Sequence, residues 1–142
     1  DNKSYPYIEI TNETYPRLII SRPRKLKGHK GRLFGPYPNA NAARKTVELL
    51  NRIYPFRKCH TMDKKVCLYY HIGQCLGYCE KKIDKSIIKN MTDEVSSFLK
   101  GNYDEVRKKI KKPQTNLILK WHLSIRKCLN ILIRYLKNKR LV

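Results

Sequence analysis

The sequence predicts an α+β fold: a small antiparallel sheet over residues 5–34 with one packed helix, a cysteine-rich segment, then C-terminal helices. Three observations lead there. Two short strand-like runs, "YPYIEIT" and "YPRLIISR", stand on either side of a polar turn. A helical apolar period sets in only after residue 39. Four of the five cysteines fall within 21 residues, from Cys59 to Cys79, in a stretch with little periodicity of its own.

The elements follow in order. In the first run Tyr7 and Glu9 alternate with Ile8 and Ile10, so one face is apolar. The second run pairs with it as a neighbouring strand. "RPRKLKGHKGR" is a basic, glycine-containing loop, and "RLFGPYP" a short third strand stopped by Gly35, Pro36 and Pro38. Residues 39–54 read as a helix capped by Asn39 or Asn41, with Ala43, Val47, Leu50 and Tyr54 on one face and Arg44, Lys45, Glu48 and Arg52 opposite. A second helix, 84–100, has Asp84 as cap, a stripe of Ile87, Met91, Val95 and Phe98, and Gly101 as its C′ residue. Residues 103–112 restart helix on Val106 and Ile110, and Pro113 interrupts. A long basic amphipathic helix over 117–138 then carries Ile118, Trp121, Ile125, Leu129, Leu132 and Leu136. The organisation expected is an α+β unit (1–58), a four-cysteine segment (59–82), a helical segment (83–112) and a basic tail (113–142).

The net charge of +21, from 32 bases against 11 acids, suggests a polyanionic partner. A composition biased toward Lys, Asn and Ile accounts for part of it. Candidate DNA contacts are Arg22, Arg24, Lys25, Lys27, Lys30 and Arg32 in the loop and Arg44, Lys45 and Arg52 on the helix; ordinary solvation is the alternative. No apolar run approaches the roughly 18–20 residues of a membrane span. The chain opens straight into a strand without a targeting signal, so we expect a piece of a longer protein in the reducing cytoplasm, where structural disulfides are disfavoured.

The cysteines follow C-x7-C-x7-C-x3-C: Cys59, Cys67, Cys75 and Cys79. Structural zinc usually takes two tight pairs, and only Cys75 and Cys79 approach one. Wider spacing suits an iron–sulfur cluster, whose ligands surround a larger object. If helical, Cys75 and Cys79 would share a face at i, i+4. Arg57, Lys58, Lys64, Lys65, Lys81 and Lys82 flank the set and would offset thiolate charge. Four buried core cysteines are the bland reading, although so dense a group is not a packing pattern. Spacing leaves zinc and cluster both open and favours the cluster. His60 and His71 are possible alternative ligands, read instead as surface or packing residues.

"DNKSYPYIEIT", "YPRLIISR", "RLFGPYPNANAARKTVELLNRIYPFRKC" and "CLYYHIGQCLGYC" resemble the UvrC family of bacterial nucleotide-excision-repair nuclease subunits, over the stretch that follows the GIY-YIG nuclease domain. The resemblance covers residues 1 to about 105. It implies a partner complex of UvrA, UvrB and damaged DNA, and a 4Fe–4S cluster on Cys59, Cys67, Cys75 and Cys79, with zinc as second choice. Neither nuclease site of the family is visible: there is no GIY or YIG string, no carboxylate cluster and no P-loop. The segment is therefore expected to link and bind rather than cut, with no catalytic residue of its own, although the parent would be an endonuclease.

The tail departs from the family. At its position UvrC proteins carry an acid-rich helical hairpin that contacts UvrB. Here residues 106–142 hold 12 bases and no acid. Either the hairpin diverged, or residues after about 112 come from a shifted reading frame, the reading favoured on composition. UvrB binding through the tail is then not expected, and the last helix should pack poorly. The rival function is a free-standing basic zinc or iron–sulfur protein that binds RNA. A redox carrier is disfavoured by the charge.

Overall fold

The computed structural model describes residues 5–110 and 116–139. The chain divides into two compact units, Asp1–Asp93 and Glu94–Val142.

In the first unit, β1 (Tyr7–Ile10) is the central strand of a three-stranded antiparallel sheet, with β2 (Leu18–Ser21) on one side and β3 (Arg32–Phe34) on the other. Ile8 faces Ile20 across one pair and Phe34 across the other. Thr11 closes the β1–β2 turn, its amide donating to the Arg17 carbonyl (3.0 Å) while its hydroxyl accepts from the Arg17 amide (2.8 Å). The sheet and its antiparallel pairing agree with the sequence.

Helix α1 (Ala40–Ile53) packs on β1 and β2. Asn39 is the cap, its side chain accepting from the amides of Asn41 (2.8 Å) and Ala42 (3.4 Å). The buried face is wider than the expected stripe: Ala42, Thr46 and Leu49 join Ala43, Leu50 and Tyr54, while Val47 is only half-buried. Thr46 tolerates full burial because its hydroxyl donates to the Ala42 carbonyl at 2.7 Å. The Asn51 amide donates to the Leu18 carbonyl at 3.2 Å, fixing the helix to β2.

A four-residue helix that periodicity did not show, α2 (Leu68–His71), lies inside the cysteine segment. Helix α3 (Lys85–Leu99) starts at Asp84, whose carboxylate accepts from the Ser86 amide at 3.0 Å. Its stripe is Met91, Val95 and Phe98; Ile87 is 46% exposed, because Ile88 is the residue turned toward the end of β1.

The second unit begins within α3. Its core holds Val95, Phe98, Tyr103, Val106 and Ile110, with Leu129, Leu132 and Ile133. Gly101, at φ +109°, turns the chain out of α3, and Tyr103 then meets Phe98 edge-on at 5.0 Å. Helix α4 (Asp104–Ile110) packs on α5 (Asn116–Lys139). The tail was expected to pack poorly. Over residues 126–138 it does not: Leu129 and Ile133 are almost completely buried, and the Arg126 guanidinium reaches the Ile110 carbonyl at 3.5 Å. The side chains of α5 are described only over residues 126–138, so the expected seam positions Ile118, Trp121 and Ile125 fall outside what can be compared. Among the described residues no helix is long and apolar enough to cross a membrane.

Candidate functional site

Residues 55–79 leave α1, loop out and return to their starting point. Two side chains tie the neck of the loop. The Lys58 ammonium donates to the carbonyls of Tyr54 (3.3 Å) and Phe56 (2.9 Å) on the outgoing strand and to that of Gln74 on the return. The Tyr78 hydroxyl donates to the Pro55 carbonyl at 2.6 Å. Burial lowers the Lys58 pKa to about 8, against the opposing pull of the Cys75 and Cys67 thiols. Burial, with Cys75 and Tyr15 adding to it, pushes the Tyr78 phenol well up.

Arg57 anchors the loop to the sheet. It is buried to 5% exposure and pairs with Glu13 in the β1–β2 turn. It also donates to the carbonyls of Tyr15 (2.9 Å), Cys59 (2.8 Å) and His60 (3.2 Å). Tyr15 stacks on Tyr78 at 4.9 Å and its hydroxyl accepts from the Ile83 amide at 3.3 Å. In the sequence Arg57 and Lys58 read as flanking charge; their hydrogen bonds make them the framework of the loop.

Held this way, Cys59, Cys67, Cys75 and Cys79 all line one pocket of about 140 Å³, whose apolar walls include Val66, Tyr70 and Tyr78. All four thiols are free; Cys67 is exposed and the other three half-buried. Cys75 and Cys79 are not on a helix. Gly77, at φ +80°, bends the chain between them, and a Cβ there would press on the Tyr70 ring at 3.0 Å and on Val66 at 3.2 Å. The Gly77 amide points at the Cys75 sulfur (3.5 Å), and the Cys79 thiol donates to the Lys65 carbonyl (3.4 Å). Loss of solvent and the neighbouring Cys59, Glu80 and Cys75 hold the Cys79 thiol above its ordinary range.

Among the described residues, no three Cys, His, Asp or Glu side chains are gathered tightly enough to chelate one ion. The thiols ring a volume rather than a point. About 10–15 Å³ measured in this way holds one water, so the pocket admits an object of several atoms. His60 and His71 are exposed and do not line it. Of the flanking bases, Arg57 and Lys58 line it, and Lys81 sits over the Tyr70 ring at 4.5 Å.

The nine candidate DNA contacts, Arg22, Arg24, Lys25, Lys27, Lys30, Arg32, Arg44, Lys45 and Arg52, are all exposed. The loop that carries five of them, and runs into Arg32 at the start of β3, is pinned by His29, which meets the Glu9 carboxylate at 3.0 Å.

The family described as UvrC/Cho excinuclease, middle domain, matches residues 5–98. The chain belongs to that family. The UvrC/Cho match takes in the sheet, α1, the basic loop, all four cysteines and α3 as far as Phe98, so the site just described lies wholly inside it, while α4 and α5 lie beyond. The chain thus carries a UvrC-like middle segment of an excision-repair subunit. No solved structure matches the chain.

Proposed function

We propose that this UvrC-like segment is a non-catalytic module that holds a 4Fe–4S cluster on Cys59, Cys67, Cys75 and Cys79 and binds DNA through its basic surface. The observation that carries the reading is the convergence of four free thiols, spread over 21 residues, on one apolar-walled pocket. Ligands that ring a volume suit a cluster better than a single zinc ion, which draws its four donors onto one point. The Gly77 amide beside the Cys75 sulfur is the kind of hydrogen bond that stabilises a ligating thiolate. A bound cluster supplies an electron-transfer centre or a rigid structural staple. The chain's own residues gather the thiols, exclude water with Tyr70, Tyr78 and Val66, and place the Lys58 charge beside them.

Family membership favours DNA over RNA as the polyanion, and the UvrA–UvrB–DNA complex as the setting. The test is the metal content of anaerobically purified chain. Brown protein with about four iron per chain supports the cluster. Stoichiometric zinc without iron would replace the cluster and keep the site, and absence of any metal would return the thiols to core packing.

A further inference from the structure

We propose that the groove between the end of the basic loop and the first two turns of α3 binds the sugar–phosphate backbone of duplex DNA. This rests on the DNA-binding reading above and names the place. The groove, of about 380 Å³, has the turn leaving β1 as its floor. Lys30 lines it from the loop, Arg32 from the start of β3, and Lys85 and Lys89 from α3. The two lysines of α3 are four residues apart, so they stand one above the other on a single helix face.

The loop reaches this place because Gly31 carries no side chain. It lies directly on the Glu9 carboxylate, and a Cβ at that position would overlap it. Glu9 in turn holds His29, so residues 29–32 are fixed against β1. The sequence shows Lys30 and Arg32 as part of a basic run, but not that they face α3.

Four cations thus share a depression with two carboxylates, and neither carboxylate is available to all of them. Glu13 is committed to Arg17 and Arg57. Asp93 is held by Lys89 at 2.7 Å, with the Arg32 charge acting on it as well. Lys30 and Lys85 pair with no carboxylate among the described residues. An anion is what such a set accepts, and lysine binds phosphate as a point charge without demanding a planar partner.

The lining also says which part of a nucleic acid fits. It contains no aromatic ring on which an unpaired base could stack. Its uncharged lining includes Ile88, Thr92 and Pro16. The groove therefore suits a duplex backbone, which needs charge and little else, better than a single strand.

The test uses the 142-residue chain and a duplex of arbitrary sequence, titrated across salt concentrations. The Lys85→Ala/Lys89→Ala double variant should lose roughly tenfold in affinity at about 0.1 M salt for each phosphate contact removed, and its log–log salt slope should become less negative by about 1 per contact. Asp93→Asn should bind severalfold more tightly than the parent, a gain that a merely structural role for α3 would not give. The comparison is Arg44→Ala/Arg52→Ala on α1. If that pair abolishes binding while the α3 pair and Asp93→Asn leave it unchanged, the groove is not the site and the DNA-binding reading survives. If the parent chain shows no salt-dependent binding at all, both fall.

Discussion

Glu13 and Arg57 are 44 residues apart in sequence and form an ion pair, with the arginine buried and the glutamate at the protein's edge. The pair fastens the outgoing end of the cysteine loop to the turn of the β-hairpin. Glu13→Gln removes the charge that faces a buried guanidinium. Arg57 keeps its three carbonyl acceptors, and Glu13 is about a third exposed, so the cost should be modest, about 1–2 kcal/mol by urea unfolding.

The same pair predicts an acid response. Partial burial pushes the Glu13 carboxyl up, but hydrogen bonds from Thr11 and Arg17 and the charges of Arg57 and Arg17 outweigh it and hold the carboxyl below its ordinary 4.5. A carboxylate with a depressed folded pKa stabilises the protein above its unfolded value. That stability is lost as the pH falls from about 4.5 through the lower folded value. Parent and Glu13→Gln should therefore differ most above pH 4.5 and converge below it. Parallel curves across that range would show that the carboxylate charge plays no part.

Gly77→Ala should damage the pocket directly. The positive φ alone costs on the order of 1 kcal/mol for a residue with a Cβ, and the Tyr70 and Val66 side chains must give way besides. Thermal melting should fall, and metal per chain should fall with it. Gly73, which also has positive φ but open space around it, is the control: Gly73→Ala should lower stability with full metal content.

Lys58→Met keeps the aliphatic stem and removes all three donors. The carbonyls of Tyr54, Phe56 and Gln74 lose that partner, at a cost on the order of 1–3 kcal/mol. Hydrogen exchange should speed up at the neck, residues 54–58 and 74–78, before it does in α1. Unchanged exchange there would mean that Lys58 is not what closes the loop.

In the second unit, Leu129→Ala should cost about 2–4 kcal/mol, because the side chain is fully buried. The variant should become protease-sensitive over residues 104–139. If the parent is already cleaved there as readily as the variant, the tail is not packed.

The sheet, the capped α1 and the core of α3 were legible because alternation, an Asn cap and a repeating apolar stripe are local signals. The candidate ligands were legible because cysteine is rare and its spacing counts residues. What holds those ligands together was not. Arg57 and Lys58 look like two more bases in a basic chain, and only their long-range carbonyl acceptors at Tyr15 and Gln74 give them a different role. Gly77 is likewise silent in the sequence, since a lone glycine between two cysteines says nothing until the ring of Tyr70 is found against it. Thr46 escaped the apolar pattern because its hydroxyl is satisfied inside its own helix.

The neck formed by Lys58, Gln74, Tyr78 and Pro55 uses none of the four cysteines. The conformational entropy of closing a loop of this length is thus met by protein groups and not by the ligand. Whatever occupies the pocket enters a mould that is already set. On the cluster reading proposed above, stripping the metal with a chelator should leave an apo form of the same shape, able to take up iron again without refolding, and the stability gained on reloading should be small beside that of a domain whose metal is its only core.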